Sequence, residues 1–530
     1  MLCLISAIYS VPVSDTSLEP GTPQIALTEQ FAAKQAQTYW LARFVILRLL
    51  GLIYFVAFLV FINQGIPLLG EHGLLPVQPS LERVGHQFGS QWEAFLKMPT
   101  LFWLKRSDGF LLGVGWIGAL LSLVVLLGFA NAPMLATLWL LYLSIRHIGQ
   151  LWYGFGWESQ LGETGFLAIF LCPLWDPRPF PKRPPPVVVV WLFRWLIFRI
   201  MLGAGLIKIR GDPCWRELTC LYYHYETQPI PNPLSRWLHF LPRWFHQLGA
   251  LYNHLAELIA PFFLLTPRTI RHIAGLVLAG LQFFLIVSGN LSFLNWLTLV
   301  PVIACFDDRF LSRLVPRAWW QRFLQRPRET IAARSQRVVA VVLATCVAAL
   351  SIAPVTNLLS NEQVMNTSYE PFELVNSYGA FGSVSKVRYE IVFEGTLADA
   401  PTEDAEWRSY EFKCKPGDPG RRPCFLSPYH LRLDWLIWFA AMSSPNQAPW
   451  TVHLAWKLLH NDPGALSLLG NNPFPATPPR FLRAQLYRYQ FAPLRERAWW
   501  TRTLVGPWLP ALSSEDPRLR EFLESYGWLQ

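Results

Sequence analysis

Nine apolar runs, at residues 40–63, 109–130, 134–152, 161–174, 187–208, 249–265, 272–288, 291–306 and 338–353, limit what this chain can fold into more than any other feature. They hold about 14 to 24 residues each, and a helix needs roughly 20 to cross a hydrocarbon layer of about 30 Å. Several therefore suffice as spans. The shortest, 161–174, and the little longer 291–306 and 338–353 need local thinning, burial or a partner helix, and a re-entrant reading stays open for them. A single soluble core does not use this much apolar material: 52 % of the 530 residues are hydrophobic, 15 % are charged and 25 are tryptophan. Trp and Tyr gather near the run ends, as interface anchors do. The expected class is a polytopic α-helical membrane protein.

Charge orients the spans. Cytoplasmic loops collect Lys and Arg, and segment 307–337 carries Arg309, Arg313, Arg317, Arg322, Arg326, Arg328, Arg334 and Arg337. Counting back through alternating runs puts the basic stretches 177–186 and 268–271, and the N-terminal segment 1–39, on that same side. Residues 1–9 are apolar but lack a basic n-region and no clear cleavage signal follows, so the N-terminus reads as a disordered or peripheral cytoplasmic segment. A membrane domain over 40–356, with long loops at 64–108 and 209–248 on the opposite, trans side, then leads to a trans-side domain over 357–530. The net charge of +10 lies in span-flanking loops without a nucleic-acid motif, so orientation accounts for it and nucleic acid is not an expected partner. Beyond residue 357 hydropathy alternates. Stretches 384–393 and 407–413 read as strands of an exposed sheet, 452–459 as a helix and 481–491 as a further strand, giving a β-rich (α+β) soluble domain.

Of eight cysteines, Cys3, Cys172, Cys305 and Cys346 lie in apolar surroundings and read as small buried hydrophobes. Cys214 and Cys220 flank a short polar loop, and Cys414 and Cys424 bracket a turn-rich one; both pairs fall on the expected oxidising side. Local disulfides are expected for each, the first contributing about 2 kcal/mol by chain entropy. Thiol exchange is the alternative, but the spacing lacks the two-residue form of low-pKa exchange motifs.

The densest polar chemistry follows the fifth run, in Gly205-Leu-Ile-Lys-Ile-Arg-Gly-Asp-Pro-Cys-Trp-Arg-Glu-Leu-Thr-Cys220 and His224-Tyr-Glu-Thr-Gln-Pro-Ile-Pro-Asn-Pro233. Lys208 ends a span, where long basic side chains usually snorkel. Asp212, Glu217, His224 and Glu226 follow within one loop, and a desolvated Lys beside carboxylates is a general-base arrangement, which makes these five the catalytic candidates. Charges inside spans are costly, so Arg146, Arg194, Arg199 and Glu257 are expected to meet partners such as His147, Glu158, Glu163 and His254 in an intramembrane polar network. His254 and Glu257 share a helical face, but one pair supplies too few ligands for a metal, and none is expected.

This loop resembles the signature loop of the lipase maturation factor family, multi-pass membrane proteins that help certain secreted lipases reach their active, assembled form. Blocks at 65–76, 152–166, 244–257, 375–382, 410–419 and 429–435 resemble the same family, so the likeness covers about 40–510. It implies a membrane-embedded, chaperone-like maturation factor whose partners are secreted lipases or similar clients, together with membrane lipids. The membrane is that of the endoplasmic reticulum if the source is eukaryotic, and the inner membrane if it is bacterial. The loop aromatics Trp215, Tyr222, Tyr223 and Tyr225, with His224, are the expected client-binding residues. No nucleotide-binding loop occurs, no cofactor is expected, and a client would be stabilised by mass action. The segment Gly205-Leu-Ile-Lys208 is also similar to a Gly-Leu-x-Lys segment of the vitamin K-dependent carboxylase, whose lysine is catalytic, which implies as the alternative an intramembrane enzyme with Lys208 as base.

Overall fold

The structure is a computed structural model that describes residues 38–325, 329 and 334–529, so residues 1–37 of the expected N-terminal segment, with Cys3, and also Arg326 and Arg328, lie outside the described residues. All nine apolar runs are helical. Among the described residues six helices are long and apolar enough to cross a membrane: α1 (Trp40–Leu69), α2 (Asp108–Leu127), α5 (Val187–Arg210), α6 (Arg243–Leu265), α7 (Arg268–Ser288) and α9 (Arg334–Leu359). The shorter α3 (Ala132–Ile148) and α8 (Leu294–Cys305) are apolar as well, whereas the 16-residue α4 (Gly156–Leu171) carries Glu158, Gln160, Glu163 and Thr164, all buried. A helix with that many buried polar groups is held by its neighbours and does not face lipid.

Contacts between helix ends show that the nine alternate in direction. At one end Asp308 accepts from the backbone N–H groups of Trp40 (3.0 Å) and Leu41 (2.7 Å), Arg43 donates to the Arg183 carbonyl (3.0 Å) and Arg268 pairs with Asp307 (2.6 Å). The basic stretches around 177–186, 268–271 and 307–325 therefore share one end of the bundle. At the other end Thr100 donates to the Ser144 carbonyl (3.0 Å), and Asp108 accepts from the N–H of Glu71 (2.8 Å). The C-terminal domain covers this second end, where Asn290 Oδ1 accepts from the N–H of Leu426 (2.9 Å) and Gln64 donates to the His430 carbonyl (2.7 Å).

The C-terminal domain is built on a four-stranded antiparallel sheet in the order β2-β1-β3-β4: β1 (Arg388–Thr396), β2 (Arg408–Ser409), β3 (Phe481–Phe491) and β4 (Trp500–Leu512). β3 has the expected limits, and the expected helix appears as Trp450–Leu459. The outer strand β4 is mostly exposed, as expected of the sheet, but β1 is not. Every residue of β1 except the half-buried Tyr389 is buried, because the strand is central in the sheet and helix Arg432–Ala440 packs on it. The expected strand at 407–413 shrinks to two residues, and beyond them Tyr410 and Phe412 are buried in the core. Charge is buried along with β1: Glu390 accepts from Arg388 (2.8 Å) and pairs with Lys415 (2.6 Å). Arg388 also donates to the carbonyls of Glu226 and Pro229, both at 2.9 Å, so the loop after α5 is fastened to the sheet.

Candidate functional site

Lys208 ends α5 on the C-terminal-domain side, but it does not snorkel to water. It is 3 % exposed, and its Nζ donates to both Glu257 oxygens, at 2.6 and 2.7 Å. Glu257 lies in a π-helical turn, Leu255–Ile259, within α6. Pro261 has no N–H for the Glu257 carbonyl, so a regular α-helical bond is impossible there, and a wide turn that re-aims a side chain is a common local solution. Asn253 donates to the second Glu257 oxygen (2.9 Å), and the Trp215 ring covers the Lys208 ammonium with its centroid 5.3 Å away. Charge-assisted bonds to both oxygens, capped by a ring face, make a strong and well-fixed pair.

The lid over this pair comes from elsewhere in the chain. Trp215 Nε1 donates to the Phe381 carbonyl (2.8 Å), His254 Nε2 meets the Trp215 carbonyl (2.9 Å), and the Phe381 ring sits edge-on to His224, 5.1 Å away. Phe381 adopts a left-handed backbone conformation, φ 53°, uncommon and costly for an aromatic residue, and the packing around it must hold it there. The segment around it lies directly on α5. A Cβ at Gly203 would overlap the Tyr378 carbonyl oxygen, and one at Gly211 would overlap that of Gly382. Sequence blocks at 205–220 and 375–382 are thus two halves of one site.

Of the five catalytic candidates, Lys208 and His224 line one small cavity of about 80 Å³. His224 is held well below the ordinary imidazole range, pushed down to about 4, first by burial and then by the nearby Lys208 charge. Asp212 caps the short helix Pro213–Arg216 by accepting from the N–H of Cys214 (3.0 Å). Glu217 is exposed. Glu226 faces the sheet, where it accepts from the N–H of Phe491 (2.7 Å), and burial raises its carboxyl above the usual range. Disulfides join Cys214 to Cys220 and Cys414 to Cys424, with Cα atoms 4.8 and 5.7 Å apart. Cys172 and Cys305 are buried as expected, but Cys346 is exposed on α9.

Two expectations need correction. As client-binding side chains, Trp215 and Tyr225 have no free surface: both are buried, Trp215 under Phe381 and Tyr225 against His246. Tyr222 and Tyr223 are half-buried, and His224 is buried. The intramembrane charges, moreover, do not join into one network. Arg194 donates to the Ala304 carbonyl and to the Tyr39 hydroxyl, both at 2.9 Å, and His147 Nδ1 meets the Pro99 carbonyl (3.0 Å). Glu257 pairs with Lys208 and His254 meets the Trp215 carbonyl, whereas the others reach across to the C-terminal domain. Arg146 pairs with Glu373, and Glu158 accepts from Arg432 (2.9 Å). Glu163, paired with Arg199, accepts from the Asn376 N–H (3.0 Å) and the Tyr378 hydroxyl (2.7 Å). Arg432, Glu373 and Asn376 were not singled out by the sequence, although Arg432 and Asp434 inside an otherwise apolar helix are a readable sign of buried charge.

Known proteins carry the same two-part layout. A family model described as the lipase maturation factor transmembrane domain matches residues 41–313, and one described as the lipase maturation factor C-terminal domain matches residues 374–510. The chain is 49 % identical over 523 residues to Lipase maturation factor 1 of Bos taurus, which covers 94 % of this chain and 93 % of that one. It is 49 % identical over 546 residues to Lipase maturation factor 1 of Homo sapiens, covering 98 % and 95 %, and 30 % identical over 594 residues to Lipase maturation factor 2 of Mus musculus, covering 90 % and 83 %. No solved structure matches. The first family model spans α1 to α8 of the bundle, the second spans most of the sheet and the segment that lids Lys208, and with near-full-length relatives on both sides of that junction the chain belongs to the lipase maturation factor family.

Proposed function

We propose that this protein is a membrane-embedded maturation factor for secreted lipases, holding folding-competent clients on the trans side of an endoplasmic-reticulum membrane. The observation that carries the reading is the 49 % identity, over nearly the whole chain, to proteins named for lipase maturation. Two further features support it. Basic loops gather at the bundle end opposite the C-terminal domain, as the positive-inside rule asks of a cytoplasmic face. Two disulfides suit an oxidising compartment. In this arrangement residues 1–39 are cytoplasmic, 40–356 form the membrane domain, and the loops 64–108 and 209–248 share the lumen with 357–530. Tyr222 and Tyr223, the aromatics of the signature loop that keep some exposure, are the client contacts in this reading.

The test is co-expression of the chain with a secreted lipase in cells lacking their own factor. Lipase activity per mass of secreted lipase should rise, and crosslinking from cysteines placed near Tyr222 should capture the lipase. Unchanged specific activity with the protein correctly inserted would remove the reading. Orientation has its own measurement: cysteines introduced in 396–403 should react with impermeant reagents only from the lumenal side.

A further inference from the structure

Beside the Lys208 chamber, on the other side of Phe381, His224 and Ala380, lies a larger cavity of about 340 Å³ that no step above uses. It is bounded by the start of α4, by Ile200 and Ala204 of α5, by Leu294 of α8, by the 378–385 segment and by helix Arg432–Ala440. Its aromatic wall is continuous. Phe155 stacks on Trp157 with centroids 4.6 Å apart, Trp157 meets Trp435 edge-on at 5.1 Å, and Phe155 stacks on Phe439 at 6.1 Å. At the mouth Met365, Phe439 and Met442 are 42, 43 and 45 % exposed. Aromatic and methionine side chains together form soft, adaptable apolar walls.

What is absent from the lining narrows the ligand. Among the described residues none around the cavity is Asp, Glu, Lys or Arg, and Lys208, behind Phe381, is already committed to Glu257. Several polar side chains on the wall are engaged: Gln160 donates to Thr298 (3.0 Å), Thr227 to the Tyr223 carbonyl (3.0 Å) and Tyr378 to Glu163 (2.7 Å), while Asn366 accepts from the Gly379 N–H (3.3 Å). A polypeptide segment would bring backbone N–H and C=O groups into this space without partners, and a carboxylate would arrive without a cation. An acyl chain brings neither. The cavity reaches inward to Ile200 and Ala204 of the membrane-crossing α5. We propose that it binds the acyl chain of an uncharged lipid, with the polar head left at the Met365, Ser383 and Met442 rim.

The inference does not depend on the client reading. The experiment uses the full chain, purified in detergent, and a monoacylglycerol carrying a diazirine in its chain. After irradiation, labelled peptides should cover 155–160, 378–385 and 435–442, and unlabelled monoacylglycerol should displace the label. Palmitate, ionised at pH 8, should compete about tenfold less well, because its carboxylate has no partner in the lining. Met442→Asp, a rim change at a position exposed enough to spare the fold, should cut labelling by about tenfold. Ala204→Phe, which fills the interior, should abolish it in protein that keeps its elution profile and both disulfides; if that variant does not fold, the rim variant still decides. Label confined to outward residues such as Trp116, Leu248 and Ile273, or not displaced by excess lipid, overturns the proposal. So does equal competition by palmitate, labelling unaffected by Met442→Asp, or labelling of the cavity by a diazirine phosphatidylcholine but not by the monoacylglycerol.

Discussion

Lys208 and Glu257 neutralise each other inside an apolar wall, so a change in either one strands a charge. Lys208→Ala should therefore cost about 3–5 kcal/mol of stability and lower the thermal midpoint in detergent. That loss would mimic the loss of a catalytic base, so the single variant cannot separate the two roles. The double variant Lys208→Met with Glu257→Gln keeps the Asn253 bond and removes both charges. It should recover most of the midpoint and most of the lipase maturation, and stable protein that still matures no lipase would restore the enzyme alternative. A second residue-scale prediction comes from the buried imidazoles. His224, His239 and His453 are each pushed down to about 4 by burial. Between pH 6.5 and 4 the unfolded chain binds protons that the folded chain does not, so stability is full above about pH 6.5 and falls as the pH drops. For His224 alone the full descent amounts to about 3 kcal/mol. Glu226 has the opposite sign, since burial raises its carboxyl and its cost appears as the pH rises above the ordinary range. Thermal midpoints measured from pH 8 to 5 should decline below 6.5, and His224→Gln should flatten that decline.

At the scale of elements, the junction between α5 and the 375–382 segment rests on close backbone approach. Gly203→Ala should destabilise the protein by about 1–3 kcal/mol, although alanine is the better helix former, because the new methyl group meets the Tyr378 carbonyl. Unfolding of the purified variant measures this, and an unchanged midpoint would show that the segment can move away freely. Removing the Cys214–Cys220 bridge with serines should cost about 2 kcal/mol, from the short loop it closes. The helices were legible in the sequence because a lipid layer demands a minimum length and apolarity, and all nine runs appear. β3 was legible through its alternation. β4 was not, since Gly506, Pro507 and Pro510 interrupt any strand pattern, and the register against β3 is bulged there. The site was half legible. Lys208, its loop and its disulfide stand out in the sequence, but the burial of Trp215 is decided by Phe381, 166 residues away, and nothing local to Trp215 announces it.

Across the whole molecule, one group of the bundle's buried charges does not serve to pack helices on one another. Arg146, Glu158 and the Glu163–Arg199 pair find Glu373, Arg432 and Asn376 beyond the last membrane-crossing helix, and Arg388 grips the 226–229 backbone from the opposite direction. Low-dielectric surroundings make each such bond costly to leave unmade, so the bundle and the C-terminal domain complete one another. Arg432 is the clearest lever. It is fully buried, donates to Glu158 and to the Trp152 carbonyl, and lies over the Tyr153 ring. Arg432→Met leaves Glu158 in place, where Trp157 and Tyr142 still donate to it but its ion-pair partner is gone. The expected loss is about 3–5 kcal/mol, shared by both parts. Labelling of Cys172 in the bundle and protease cutting of the 397–406 loop in the C-terminal domain should then become sensitive at the same, lower temperature. If the loop becomes sensitive while Cys172 stays protected, the two parts unfold separately, and the ion pairs across the junction only position one domain on the other.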